Sequence, residues 1–367
     1  MNVSIEYQGR ERATPWRSWR LRTSCPLMRL LSGRDARGPH ERHGVARSRR
    51  IIMGAAVGAV LALPAAAQEV VLKGVAAFQE GSIYAQKFEQ YIKAVNEKGK
   101  GQIRIQYLGG APKVMPLFDV GKNLKDGVID IVTTSSAYYG NVLPEAEAMK
   151  LIEVPMAELR SNGGLAFLNK LHVDKANTEF LARFYNYERA HIFLNKEIAK
   201  PDFSGLKIRV TPMYRPMVEK LGGTGINSTP PEVYTMLERN TVDGYGWATR
   251  GIFDYSWQKV TKFRVDPGFY RPDITLLANH DTWTKKLNDA QRKLLLDLAL
   301  EIENSTADVG LIEAELKKQT DAGIKTIKFS EADEQRYVKE AREAGWDVVK
   351  KISPDNAAKL RQYFVKE

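Results

Sequence analysis

Arg209, near the end of the run Gly205-Leu206-Lys207-Ile208-Arg209-Val210, is the residue whose chemistry stands out. The run alternates apolar and polar residues after the turn Pro201-Asp202-Phe203-Ser204-Gly205, so it predicts a strand that carries one permanent cation to its end. A planar guanidinium matches the two oxygens of a carboxylate, and the chemistry it offers is capture of an organic anion. Three further segments, residues 78–82, 135–139 and 245–247, each follow a predicted strand. Each brings an aromatic (Phe78; Tyr138 and Tyr139; Tyr245 and Trp247) next to small polar groups such as Ser135. Loops at the carboxyl ends of strands are where open α/β sheets hold ligands.

The residue types needed for bond making are harder to find. No Gly-x-Ser-x-Gly elbow, P-loop or His-Glu-x-x-His helix is present. Gly244-Tyr245-Gly246 begins like a dinucleotide fingerprint, but Thr249 stands where its third glycine belongs. His172, His191 and His280 fall on predicted helix, strand and loop positions, and acid pairs such as Asp243 with Glu238 arise in almost any chain of this length. No catalytic residue, metal site or cofactor is expected on these grounds.

Elements that position Arg209 can be read from periodicity. Residues 70–78 predict a strand, a turn at 79–82 leads into a helix with Tyr84, Phe88, Tyr91, Ile92 and Val95 on one face, and Ile103, Ile105 and Tyr107 alternate as the next strand. This β-α-β opening continues with a helix over 117–126 and a strand over 128–134. Helices are expected over 157–170 and 175–184, strands over 191–195 and 242–246, and a tail helix from 331 interrupted at Pro354. Thr229-Pro230-Pro231-Glu232 carries the residues of a capping box with proline at the first helical position. Residues 287–318 read as one long helix or a broken pair. The alternation argues for an α/β class with mainly parallel sheet. No linker, repeat or low-complexity tract divides the chain, so two lobes would require it to cross between them more than once.

The formal charge of +11 invites a nucleic-acid reading, which the distribution of charge removes. Of 55 Lys and Arg and 44 acids, 12 Arg and 4 acids lie in residues 1–67, leaving 43 bases against 40 acids from Gln68 onward. Arg47, Arg49 and Arg50 precede an apolar run, residues 51–63, that is too short to span a bilayer, and Ala65-Ala66-Ala67 offers a small-residue cleavage site. Residues 1–67 therefore read as a leader, exported through the general secretory or the twin-arginine route. Within it, residues 1–46 look like translation from an upstream start, with the true start at Met28 or later. The only cysteine, Cys25, lies in that stretch, so the product is expected without disulfides or thiolate chemistry, outside the cytoplasm.

These features together resemble the substrate-binding proteins of tripartite ATP-independent periplasmic (TRAP) transporters, from Val70 to the C-terminus. The 205–210 segment looks like the family's strand with its carboxylate-binding arginine. Pro231-Glu232-Val233-Tyr234-Thr235-Met236-Leu237 followed by Val242-Asp243-Gly244 resembles its helix-to-strand block. The resemblance implies a two-lobed periplasmic-binding-protein-like fold, with 69–187 and 275–315 in lobe I and 188–274 and 316–367 in lobe II. It also implies a lobe-spanning helix over 287–318 and closure of the lobes on the ligand. It implies a second cation at Arg189, walls and hydroxyl donors from Phe78, Tyr138, Tyr139, Tyr214 and Trp247, and an acceptor at Glu80. The partners implied are a small carboxylate and TRAP membrane subunits, with a monomer as the usual state and no nucleic acid. One departure stands out: Gly246 replaces the acid that commonly precedes Trp247, which counts against a sugar acid recognised through an Asn and against a metal site. The competing readings are an exported enzyme using Glu80 or Asp243 as base, and a ligand-sensing subunit of a receptor.

Overall fold

A computed structural model describes residues 68–366, so the leader reading lies outside the described residues. Val70–Ala76 (β1) and Ile103–Gly110 (β2) pair in parallel across Ile83–Lys98 (α1), which buries Tyr84, Phe88, Tyr91, Ile92 and Val95, the face that the spacing predicts. Val120–Lys125 (α2) leads to Ile131–Ser135 (β3), fully buried and parallel to β1 on its other side. Ser136–Tyr139 (α3), Met156–Ser161 (α4) and Gly164–Ala176 (α5) follow. The predicted helix over 175–184 is instead the strand Thr178–Phe184 (β4). Asn177, in the left-handed region at φ 49°, ends α5 and turns the chain. Beyond it, pairing with the first sheet and burial override the helical leaning of Glu179, Leu181 and Ala182.

The chain then crosses to a second sheet through Ala190–Leu194 (β5), Lys207–Val210 (β6), Thr224–Asn227 (β7), Gly244–Ala248 (β8) and Phe263–Asp266 (β9). Arg215–Lys220 (α6) and Val233–Glu238 (α7) connect these strands, and the capping box at Thr229 and Glu232 forms as the sequence predicts. Ile274–Asn279 (β10) returns to the first sheet. After Asp289–Glu303 (α8) and Asp308–Asp321 (α9), Lys325–Lys328 (β11) joins the second, and Glu331–Ile352 (α10) and Pro354–Phe364 (α11) close the chain. The strand orders are β2-β1-β3-β10-β4 and β11-β9-β5-β8-β6-β7. Both sheets are mixed. The β-α-β runs are parallel, whereas β10 and β5, the strands that arrive directly from the other sheet, are antiparallel to both neighbours.

The 287–318 region is the broken pair rather than one helix. α8 packs on α1 and β4 of the first sheet. Gln319 of α9 donates to Thr249 O at 2.6 Å and accepts from Arg264 at 2.8 Å, on the side of the second. α10 packs on α6, while α11 packs on α5, so the tail touches layers of both sheets. Among the described residues no helix is long and apolar enough to cross a membrane.

Candidate functional site

The carboxyl ends of β1 and β3 face those of β6 and β8 across a small cavity. From the first sheet come Phe78, in the loop after β1, with Ser135 and Tyr138 at the start of α3; Tyr84 of α1 joins them. Thr211, Met213 and Tyr214 follow β6, Trp247 belongs to β8, and Pro272 and Ile274 complete the wall where the chain re-enters the first sheet. The aromatic rings lean on one another: Phe78 lies 5.4 Å from Tyr84 and 5.7 Å from Tyr138, and Tyr84 lies 6.1 Å from Trp247. The volume is about 30 Å³, enough for roughly two waters. Admission of an organic acid therefore requires the walls to part. Burial pushes the Tyr138 hydroxyl up to about 12 and Tyr214 well above its ordinary value, so both remain neutral O–H donors.

No charged side chain lines the cavity itself, among the described residues. Arg209 lies directly behind it. It is fully buried on β6, with its guanidinium carbon 5.8 Å from the Trp247 ring. Nε donates to Ser228 Oγ at 3.2 Å and Nη2 to Ser228 O at 2.5 Å, while Nη1 has no partner among the described residues. Burial lowers its pKa, and no acid among the described residues pairs with it. A guanidinium withdrawn from water with one nitrogen unsatisfied is costly unless an anion completes it. Trp247 Nε1, also buried and without a partner among the described residues, adds a second unused donor.

A buried polar chain flanks the cavity behind Tyr84. The Tyr84 hydroxyl donates to Glu188 at 2.6 Å, and Glu188 accepts from Arg250 Nε at 2.5 Å. Arg250 also meets Asp308 of α9 at 3.2 Å, and Asp308 in turn pairs with Lys87 of α1. On the opposite wall, Asp273 accepts from Ser135 Oγ at 3.1 Å and from Ser136 N at 2.8 Å.

Of the residues expected from sequence, Phe78, Ser135, Tyr138, Tyr214 and Trp247 line the cavity and Arg209 backs it. Four others do not reach it. Arg189 donates to Phe269 O at 3.3 Å and lines an outer groove, because it precedes β5 beside the turn at Gly268. Tyr139 bonds His172 Nε2 at 3.1 Å in the core, since neighbouring residues on the short α3 point about 100° apart. Tyr245 lies two residues deeper along β8 than Trp247, stacked 5.0 Å from Phe193 with its hydroxyl 2.9 Å from Thr261 Oγ1. Glu80 faces outward to Gly110 N and Lys113.

Residues 75–353 match the profile of the bacterial extracellular solute-binding proteins, family 7. The chain belongs to this family, the TRAP periplasmic solute-binding proteins. The ectoine/5-hydroxyectoine-binding periplasmic protein UehA of Ruegeria pomeroyi is 25% identical over 340 residues, covering 83% of this chain and 96% of that protein. A TRAP solute-binding protein of Desulfovibrio salexigens with bound orotic acid superposes with a TM-score of 0.70 at 19% identity, covering 80% of this chain and 97% of that one. A Bordetella pertussis extracytoplasmic solute receptor binding pyroglutamic acid gives 0.68 at 15% identity, covering 81% and 100%.

As a TRAP solute-binding protein the chain binds a small molecule and works with membrane subunits; it is not an enzyme. Its departure at Gly246 has a steric cause: a Cβ there would stand 2.6 Å from Tyr214 Cδ1. A side chain at 246 and the Tyr214 ring compete for one space, and this chain fills it with the tyrosine. Sequence reasoning missed Tyr84 and Thr211 as wall residues. Position was the available signal, since Thr211 follows the Arg209 strand and Tyr84 opens the helix after the Phe78 loop. The return strand with Pro272 and Ile274 carried no such signal, because its neighbours come from distant sequence.

Proposed function

We propose that this protein captures a compact monocarboxylate between two lobes and hands it to TRAP membrane subunits. The observation that carries the reading is Arg209, buried, without an acidic partner and with Nη1 unused, behind a cavity whose lining is otherwise uncharged. One carboxylate would complete the guanidinium, and Tyr138 and Tyr214 supply further hydroxyl donors. A dicarboxylate loses its support with the displacement of Arg189 to an outer groove. Orotic acid and pyroglutamic acid, held by the two structural neighbours, are ring acids of the kind an aromatic enclosure suits.

The lobes are taken as residues 69–187 with 275–315 and 188–274 with 316–367, a division supported by the two sheets and modified at α11, which packs on α5. The protein acts as a monomer in the periplasm, exported by the general secretory or twin-arginine route. Thermal-shift measurements with monocarboxylates, dicarboxylates, ectoine and the primary amides of the acids test the ligand class. A monocarboxylate should raise the melting temperature and its amide should not. Equal stabilisation by acid and amide, or a clear preference for dicarboxylates, would overturn the reading.

A further inference from the structure

Outside the cavity, a groove runs along the two segments that connect the sheets. It has two contiguous parts of about 590 and 600 Å³ that share Glu153, Arg189, Arg271 and Lys366. That is the size of an ordinary small-molecule site, and its charges are unbalanced. Arg189 stands at the end of the β4–β5 crossover and Arg271 in the β9–β10 crossover. Arg271 has no side-chain hydrogen bond or ion pair among the described residues, and Arg189 meets only the Phe269 carbonyl. The acids nearby are already engaged: Glu153 by Arg342 at 2.8 Å, and Glu303 by Arg160 at 2.7 Å. Lys150 also lines the groove but is held by Glu147 at 2.7 Å. Deeper in, buried Arg183 donates Nη2 to the carbonyls of Arg271 and Pro272, and its Nε has no partner among the described residues.

We propose that this groove is a second anion-binding site, built for a small oxyanion carrying two or more charges, with Arg189 and Arg271 gripping it from the two crossovers. Beyond burial, the neighbouring Arg271 and Arg342 lower the Arg189 pKa further, against the opposing pull of Glu153, and a dianion would relieve that repulsion. Phe269, Tyr270 and Tyr187 also line the groove, but its shared part is formed by the charged Glu153, Arg189, Arg271 and Lys366, whereas the cavity is ringed by aromatics and lined by no charge among the described residues, so the two sites select different ligands. They share one piece of backbone. Arg271 lines the groove, Pro272 lines the cavity, and Asp273 holds Ser135. An anion in the groove is thereby linked to the cavity wall through three consecutive residues.

Inorganic phosphate is the probe, titrated into the purified protein at constant ionic strength and followed by broadening of its ³¹P resonance. Saturable broadening is expected, with a dissociation constant at least about tenfold weaker in Arg271→Gln and retained in Arg209→Ala, which removes the cavity's cation. Circular dichroism checks that each variant folds. Should Arg271→Gln fail to fold, Arg189→Gln, an exposed position, carries the same expectation. Absence of saturable broadening in the wild type, equal affinity in the folded groove variant, or loss of binding in Arg209→Ala would overturn the proposal.

Discussion

Burying a guanidinium without a counter-ion is expensive, and Arg209 pays for it in stability that an apolar side chain would return. Arg209→Met should therefore unfold at the same temperature as the ligand-free wild type or higher, measured by calorimetry; a marked fall would mean that the arginine is structural. Gly246 makes the opposite case, a residue chosen for what it lacks. Gly246→Ala forces a methyl group against the Tyr214 ring and should cost about 1–3 kcal/mol in denaturant unfolding. Tyr214→Ala should relieve that strain, so that the double variant loses less than the two single losses together. A strictly additive pair would show that the two do not share space. At this scale the sequence was most legible where chemistry and strand-end position coincided, as at Arg209, Ser135, Tyr138 and Trp247. It was misleading where position was right but direction was not, as at Tyr139 and Tyr245, because side-chain direction depends on local geometry that residue type does not carry.

Elements meet around the chain of Tyr84, Glu188, Arg250, Asp308 and Lys87, which ties α1 to the β4–β5 crossover, the end of β8 and α9. The crossover starts under strain: Tyr185, the residue after β4, sits at φ 58° with its hydroxyl on Ile83 O. A joint of this kind suits the place where lobes turn relative to each other. Removing one partner of a buried ion pair weakens the hold on the other, so Glu188→Gln should cost about 3 kcal/mol, whereas Glu188→Leu with Arg250→Met should cost less than Glu188→Leu alone, in which buried Arg250 keeps only Asp308. Chemical denaturation of the three variants decides this, and a double variant no more stable than Glu188→Leu would contradict it. The helices and strands themselves were largely readable, including the β-α-β opening, the capping box at Thr229 and the stop at Pro354. The break in the 287–318 pair falls at Asn304-Ser305-Thr306, residues that compete for backbone hydrogen bonds and disfavour helix interiors. β4 was not readable, because its partners β10 and α8 arrive about a hundred residues later in the chain.

Across the whole molecule, two buried groups titrate in opposite senses. Desolvation raises Asp273 to about 6, against the opposing pull of Arg183 and Ser136. Between the unfolded value near ~4 and that pKa the native state keeps a proton that the unfolded chain has released, so this group lowers stability as pH rises. Burial lowers His172 to about 4, so below ~6.5 the unfolded chain gains a proton that the native state refuses, and stability falls as pH falls. The two effects oppose each other between about pH 4 and 6. Asp273→Asn should uncover the histidine's slope, making the drop in melting temperature from pH 6.5 to 4.5 larger than in the wild type; an equal or smaller drop would contradict the assignment. The two sheets and the crossings between them bring the wall residues of the cavity in front of Arg209, the buried cation behind it. The most direct test is a calorimetric titration of the wild type and of Arg209→Ala with the monocarboxylate that most stabilises the protein. Loss of a charge-assisted carboxylate contact worth ~1.5–3 kcal/mol predicts affinity at least about tenfold weaker in the variant, and affinities within about twofold of each other would contradict the account.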